Sequence, residues 1–499
     1  MDALLQVIDG FSISLQPHNL WYTFIGVFMG TVIGVLPGIG PSAAMALLIP
    51  FCYDLSSTSA LIMMAGIYYG AQYGGAITSV LINTPGESSS VMTAIDGYQM
   101  ARKGRAGAAL AISAWGSFIG GTTAIIALTI FAVPLTTAAL SFGPPEYFML
   151  MLVAMTCVFS LTGSSPAKGM LSTMIGLAIA TVGTDLQSGQ IRYSFGVPAL
   201  QEGIDFIIVV VGVFAVGEVL SALAEKFQST GDIIKLDGKL MLTREEWKRS
   251  AKPVARGSLI GFLVGVLPGA GATIASIVSY SVEKSNAKHP EEFGKGAIEG
   301  VAGPETANNA ASTGSMVPLL TLGVPGSGST AVLLGAFIMF GIQPGPLLFQ
   351  NHPDVVWGLV NSMYVGNVML LLLNLPLIFI FVRLLYIPKG LLFPIVLVLA
   401  TIGIFAINNL EFELFLCLAF GLLGFVFRKL DIPLAPMVLA VVLGSLMEQS
   451  FRQAMTISGG SLSIFLHSMV SISLAILCVT ILVFTIFKTS IRGRRAPAT

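Results

Sequence analysis

Gly26-Val-Phe-Met-Gly30-Thr-Val-Ile-Gly34-Val-Leu-Pro-Gly38-Ile-Gly40 returns 231 positions later as Gly257-Ser-Leu-Ile-Gly261-Phe-Leu-Val-Gly265-Val-Leu-Pro-Gly269-Ala-Gly271. Eight of the fifteen positions are identical, five of them glycine. Each copy sets small residues four apart, on one face of a helix. Each then places Leu-Pro-Gly inside an apolar run, where proline removes a backbone donor and interrupts a helix. A repeat at this distance predicts two related halves. In a membrane protein, two halves with broken helices place a site between them.

Composition sets the medium. Of 499 residues, 55% are hydrophobic and 10% charged, and the mean hydropathy is +0.86. Soluble domains carry roughly 25% charged residues, so the bilayer is the first partner of this surface. Runs such as 204–223 and 464–487 exceed the roughly 18 apolar residues that mark a spanning helix. With 25 basic and 25 acidic residues, the chain offers nucleic acid no electrostatic footprint. The first residues lack the basic start of a cleaved signal peptide, so this segment is expected to be retained. Cys52, Cys157, Cys417 and Cys478 stand singly in apolar runs without metal-ligand spacing.

The expected fold is an all-α polytopic membrane protein of two inverted-topology repeats. Each repeat has a broken helix and a re-entrant helical hairpin, with about 11 full spans plus the two hairpins. The first repeat covers 1–224, with a broken span over 20–51 and a hairpin near 60–102 that turns at Asn83-Thr-Pro-Gly86. Residues 225–253 carry the longest charged stretch and read as a cytoplasmic linker. The second repeat covers 254–487, with a broken span over 254–280 and a hairpin near 296–345 that turns at Gly323-Val-Pro-Gly326. Residues 488–499 form a basic cytoplasmic tail. The two Pro-Gly pairs lie 240 apart, so about nine residues were inserted between the motifs of the second copy. Lysine and arginine bias puts 102–105, Lys168, 225–253, Arg383, Arg428-Lys429 and the tail inside, and the N-terminus outside. Lys284, Lys288 and Lys295 fall outside as exceptions. On this count the first hairpin enters from inside and the second from outside.

Enzyme signatures are missing from the sequence: it has no G-x-x-x-x-G-K-[ST], H-E-x-x-H or G-x-S-x-G. Gly38-Ile-Gly-Pro-Ser-Ala43 and Gly326-Ser-Gly-Ser-Thr-Ala331 match a loose dinucleotide pattern without its βαβ setting. The four histidines lie far apart. No catalytic residue, cofactor or metal is expected beyond a coupling Na+ or H+.

Polar chemistry gathers instead at the breaks. Asn83, Ser88, Ser89 and Ser90 surround the first Pro-Gly turn, and Ser327, Ser329 and Thr330 the second. Half-helix N-termini carry partial positive charge, so two of them meeting near the midplane suit a carboxylate. Unwound carbonyls around Gly38, Gly40, Gly269 and Gly271 suit a small cation. Asn308, Asn309, Thr313 and Ser315 form a dense polar cluster in an apolar segment, which aligns on the Pro-Gly register with the stretch holding Tyr68, Tyr69 and Tyr73 in the first half. Asp96, Glu305 and Glu87 are ionisable groups within the hairpins, candidates to take a proton or help hold Na+. The bland alternative has the hydroxyls only capping helices and the glycines only packing them. No Arg or Lys lies inside either hairpin, which leaves a multiply charged anion with dipoles, amides and a co-bound cation.

Gly34-Val-Leu-Pro-Gly-Ile-Gly40, Gly66-Ile-Tyr-Tyr-Gly-Ala-Gln-Tyr-Gly-Gly75, Asn83-Thr-Pro-Gly86 and Gly303-Pro-Glu-Thr-Ala-Asn-Asn-Ala-Ala311 together resemble the large membrane subunit of tripartite tricarboxylate transporters, the TctA family. The resemblance runs from the first span to about Leu446. It implies a secondary transporter of the bacterial inner membrane, with a small membrane subunit and a periplasmic solute-binding protein as partners. The implied substrates are citrate and other small carboxylates, taken up on an H+ or Na+ gradient. Analogy with other hairpin transporters implies an elevator-type movement. A self-sufficient carboxylate symporter and a non-transporting channel or scaffold subunit stand as alternatives.

Overall fold

The computed structural model describes residues 2–36, 38–161, 165–185, 188–224, 233, 234, 236, 240–387 and 389–495. Pro37 of the first Leu-Pro-Gly break, most of 225–239 in the linker, and 496–499 of the tail lie outside them. The architecture is all-α, with one two-stranded ribbon, β1 (Gly183–Thr184) against β2 (Ile191–Arg192).

The chain opens with α1 (Asp2–Ser14), α2 (Pro17–Gly34), α3 (Pro41–Leu48) and α4 (Ser57–Ile82). Helix α2 starts on Pro17, whose fixed φ suits a first helical position. Helix α4 starts where the Ser56 hydroxyl accepts the Ser59 N–H. The repeated glycines press the two together. A Cβ added to Gly26, Gly30 or Gly34 would lie 2.4 Å from the carbonyl oxygen of Met63, Ile67 or Ala71. Only glycine lets backbones meet this closely. Residue numbers rise together along this contact, so α2 and α4 run parallel.

That direction corrects the expectation of a broken span. Between Gly34 and Ser57 the chain has to come back, and α3 with the 3-10 turn Ile49–Cys52 brings it back. Ser59 Oγ then donates to Asn19 Oδ1 (2.7 Å), joining the start of α4 to the start of α2. Leu36 and Gly38, on either side of the break, therefore lie at the tip of a helical hairpin made by α2 and α3.

The second copy behaves alike. Helices α5 (Val91–Met100), α6 (Ala106–Ala139), α7 (Pro144–Leu161), α8 (Pro166–Ala180), α9 (Phe206–Val210) and α10 (Gly217–Ala224) separate it from the first. It contains α11 (Arg244–Val266), α12 (Gly271–Asn286), α13 (Glu299–Gly314), α14 (Met316–Leu322) and α15 (Gly328–Met339). A Cβ on Gly257, Gly261 or Gly265 would meet the carbonyl oxygens of Gly303, Ala307 and Ala311 at 2.6, 2.3 and 2.3 Å. Helix α12 returns the chain, and Arg256 Nε donates to Glu283 Oε1 (2.8 Å) near the open end of the hairpin. Gly38, Gly269 and Gly271 take φ of 90°, 79° and 62°, values that glycine alone adopts freely.

The Pro-Gly turns differ from the expected pair of antiparallel arms. Helices α4 and α14 end on left-handed residues, Asn83 (φ 54°) and Gly323 (φ 71°). The chain then retreats in extended form. Gly86 N–H reaches Gly75 O (3.4 Å), and a Cβ there would strike Gly75 Cα (2.5 Å) and Gly34 O (2.6 Å). Gly326 stands in the same way against Ser315 Cβ (2.7 Å) and Gly265 O (3.1 Å). Tyr69 and Thr313 join α4 to α13, and Gln72 lies beside Asn308 and Ser312. Thr93 and Asp96 join α5 to Glu305 and the N–H groups of 294–297. Both α4 and α5 thus run against α13, and so run in the same direction as each other. Each turn is an extended return followed by a short helix. Because α4 and α13 are antiparallel, the two glycine-packed units also point in opposite directions.

Pairings between segments sort the loops onto two sides. Arg105 pairs with Glu246 (2.6 Å), Arg249 with Glu292 (2.6 Å) and Glu299 (2.8 Å), and Lys103 Nζ donates to Lys295 O (2.5 Å). Residues 283–295 therefore share a side with 102–105. The three lysines that looked exceptional join the other cations, because α12 returns where a span was expected. Helix α11 already begins at Arg244 on a Thr243–Glu246 capping box, so 244–253 is helical.

The remaining helices are α16 (Leu348–Asn351), α17 (Pro353–Asn374), α18 (Ile378–Leu384), α19 (Lys389–Asn408), α20 (Glu411–Lys429), α21 (Leu434–Ile457) and α22 (Met469–Arg495). Among the described residues, five helical stretches are long and apolar enough to cross a membrane: Ser88–Ala139, Phe206–Ala224, Pro353–Asn374, Gly390–Asn408 and Leu434–Ile457. The protein is a multi-pass membrane protein.

Candidate functional site

All four breaks meet at one cavity of about 510 Å³. Four helical segments begin at its wall: α3 at Gly40, α12 at Gly271, α15 at Gly328, and the turn Ser88–Ser90 that leads into α5. Each presents first-turn N–H groups with no intrahelical partner, and each points the positive end of its dipole inward.

The tips are tied crosswise by hydroxyls. Ser42 Oγ lies 3.0 Å from Ser329 Oγ, joining α3 to α15. Ser88 Oγ lies 2.8 Å from Thr273 Oγ1, joining the turn before α5 to α12. Ser42 and Thr273 are absent from the sequence-derived set of candidates, yet they were within reach of it. They occupy the same place in the two copies, two residues beyond Gly40 and Gly271.

Ten of the expected residues line this cavity: Gly38, Gly40, Tyr68, Glu87, Ser88, Ser89, Gly269, Gly271, Ser327 and Ser329. Ser90 and Thr330 cap their helices instead. Thr330 Oγ1 accepts the Ser327 N–H (2.8 Å), Ser327 Oγ accepts the Thr330 N–H (3.2 Å), and Ser90 stands likewise to Glu87. For these two the bland reading holds. Asn83 is exposed at the end of α4, outside the lining.

Glu87 lies in the wall and is held from behind. Ser89 Oγ donates to it, and Asn308 Nδ2 donates to its Oε1 (3.1 Å). The Gln72 amide, oriented with its nitrogen toward Glu87 Oε2 (2.7 Å) and Asn308 Oδ1 (2.9 Å), accepts from Ser312 Oγ (2.8 Å). Asn308 thus acts on the cavity through Glu87. Asn309 donates to Ser117 Oγ (2.7 Å) and Glu305 O (3.2 Å), and Thr313 accepts from Tyr69 (2.9 Å). Both stand in the α4–α6–α13 packing, outside the lining.

Neither of the other ionisable candidates reaches the cavity. Glu305 is fully buried among α5, α6 and α13, accepting from Thr93 and from Ser117 Oγ (3.4 Å). Asp96 Oδ1 accepts three backbone N–H groups, from Gly294, Gly296 and Ala297 at 2.8, 2.7 and 2.9 Å, and Tyr280 donates to its Oδ2 (2.9 Å). That carboxylate fastens the loop after α12.

The cation missing from the hairpins enters from elsewhere. Arg428, in the last turn of α20, lines the cavity and is paired with Glu218 of α10. A Cβ on Gly38 would stand 3.0 Å from Glu218 Oε1. Among the described lining residues Arg428 is the only cation. The described residues contain no group of three His, Cys, Asp or Glu side chains arranged for a metal ion.

A second cavity, of about 1260 Å³, opens beside the β1–β2 ribbon. Helix α15 reaches from one cavity to the other, with Ser329 in the first and Gly335 and Ile338 in the second. The Phe206 ring covers Gly335 so closely that a Cβ there would overlap it, at 1.9 Å.

Comparison with known proteins agrees with the motifs that carry this geometry. An uncharacterized 52.8 kDa protein of Agrobacterium vitis, described by its place in the TAR-I ttuC' 3' region, is 47% identical over 496 residues, 99% of this chain and 98% of that protein. A second uncharacterized protein of the same organism, from the TAR-II ttuC' 3' region, is 46% identical over 235 residues, 47% of this chain and 97% of its own length. No solved structure matches. The model of the tripartite tricarboxylate transporter TctA family matches residues 20–439, a span that holds both glycine repeats, all four breaks and Arg428. By that match the chain belongs to the tripartite tricarboxylate transporter TctA family.

Proposed function

We propose that this chain is the transporting subunit of a three-part system for secondary uptake of di- and tricarboxylates such as citrate, driven by an H+ or Na+ gradient. The observation that carries the reading is the convergence of four helix starts on one polar cavity between two oppositely directed units. A helix end contributes roughly 0.3–1 kcal/mol to a nearby anion, so four supply about 1–4 kcal/mol. Millimolar binding requires about 4 kcal/mol, and the tip hydroxyls supply further hydrogen bonds.

The units 1–224 and 254–487 are read as inverted repeats. Alternating access moves the tips so that the central cavity exchanges with the second cavity across α15. The setting is the bacterial inner membrane, with the C-terminus cytoplasmic, beside a small membrane subunit and a periplasmic solute-binding protein. The cation candidates are the backbone carbonyls at Gly38, Gly40, Gly269 and Gly271.

The test is radiolabelled citrate uptake in cells carrying the whole system. Ser42→Ala and Ser329→Ala are each expected to raise the half-saturation concentration about tenfold, the worth of a hydrogen bond to a charged group. Wild-type kinetics in both would overturn the reading.

A further inference from the structure

We infer that Arg428 receives the second carboxylate of the substrate, and that Glu218 is the counter-ion it releases to do so. This deepens the reading above and rests on it. The central cavity offers helix starts and hydroxyls on the side of the tips, and these suit one carboxylate. Arg428 is the cationic group on its wall. It comes from α20, an element outside both glycine-packed units, so the anion would bridge the tips to a separate element.

Three observations point to a guanidinium held for exchange. Its partner Glu218 also lines the cavity. The side chains of Arg428 and Glu218 remain 30% and 15% accessible, so the pair faces the space a ligand would fill. The buried Nε of Arg428 has no hydrogen-bond partner among the described residues. The guanidinium fork is therefore only partly used, and once the pair with Glu218 opens, a carboxylate bound to it bidentately would satisfy Nε and a terminal nitrogen together. The chemistry selects anions with two or more carboxylates. A monocarboxylate held at the tips would leave the Arg428–Glu218 pair intact and gain nothing from it.

A purely structural ion pair makes a different prediction. Removing either partner would then harm the protein alike, and removing both would restore it. The experiment measures uptake of labelled citrate and succinate by cells carrying the complete system, with the amount of chain in the membrane read by immunoblot. R428Q is expected to raise the half-saturation concentration for both anions at least tenfold. R428K, which keeps charge but lacks the fork, is expected to fall between. E218Q removes the competing carboxylate and is expected to lower the half-saturation concentration several-fold. The double variant R428Q/E218Q is expected to remain as impaired as R428Q. If R428Q fails to accumulate, R428K and the charge-neutral double variant carry the comparison.

Wild-type kinetics in R428Q, or equal harm from both single changes with recovery in the double, overturns the inference. Impaired S329A beside unaffected R428Q removes this inference alone, whereas unaffected S42A and S329A remove the cavity reading itself.

Discussion

Glu87 is the carboxylate that the first tip brings into the cavity, and its orientation depends on residues that never reach the cavity. Asn308 Nδ2 donates to it at 3.1 Å, from a position fully buried in α13. Leaving a buried acceptor without its donor costs roughly 1–3 kcal/mol. Asn308→Ala is therefore expected to cut citrate uptake about tenfold or more while leaving the chain in the membrane, read by uptake and immunoblot on the same cells. Unchanged uptake would mean that the position of Glu87 is immaterial. The polar cluster around Asn308 was legible in the sequence because packing alone does not require amides in an apolar helix. What each amide holds was not legible: Asn308 supports Glu87, whereas its neighbour Asn309, one-third of a turn away, points to Ser117. Arg428 was invisible for a different reason. It lies 390 positions from Gly38, at a helix end where a basic residue is expected from charge bias alone. Nothing local distinguishes it from Lys429, whose ammonium instead lies over the Phe425 ring at 5.1 Å.

At the scale of elements, the glycines set four apart form a helix-packing face, but the spacing itself names neither the partner nor its direction. A glycine pattern records that another backbone comes close, and parallel and antiparallel neighbours satisfy it equally. Leu-Pro-Gly likewise marks where a helix ends without saying which way the chain leaves. The structure resolves both together: parallel packing of α2 on α4 obliges α3 to return. Substitution on this face should therefore damage the hairpin first. At Gly261 a Cβ would lie 2.3 Å from Ala307 O, with Ala307 Cα and Ala310 Cβ at 2.7 Å, and backbone has no rotamer with which to yield. Gly261→Val is expected to cost at least the 1–3 kcal/mol of an overpacked core. The readout is a lowered midpoint of thermal unfolding in detergent and less chain in the membrane. Gly390, helical and with nothing within 4 Å of its added Cβ, is the matched control. Gly390→Ala is expected to be neutral or slightly stabilising, by up to about 1 kcal/mol. Equal losses at the two sites would show that glycine content, and not close approach, is what these helices need.

At the scale of the whole molecule, sidedness separates the two readings of the repeat. A broken span would carry 283–295 across to the side of the β1–β2 ribbon, whereas a re-entrant hairpin returns it to the side of Arg105 and Arg249. The ion pairs of Arg249 with Glu292 and Glu299 follow the second course. It also removes the three exceptions to the lysine and arginine bias, so charge and geometry agree once the turn is reversed. Lys248, Lys288 and Gln190 are all exposed, and α6, α7 and α8 separate the side of Arg105 and Arg249 from the ribbon beside Gln190. The four native cysteines are buried, which leaves the chain open to single-cysteine labelling. With a membrane-impermeant maleimide, Lys248→Cys and Lys288→Cys are expected to react together, in inside-out vesicles and not in intact spheroplasts. Gln190→Cys is expected to show the opposite pattern. Labelling of Lys288→Cys alongside Gln190→Cys would restore the broken span and separate the tips that the cavity requires. Joint labelling of the two lysine positions from outside would keep the hairpins and invert the whole chain in the membrane.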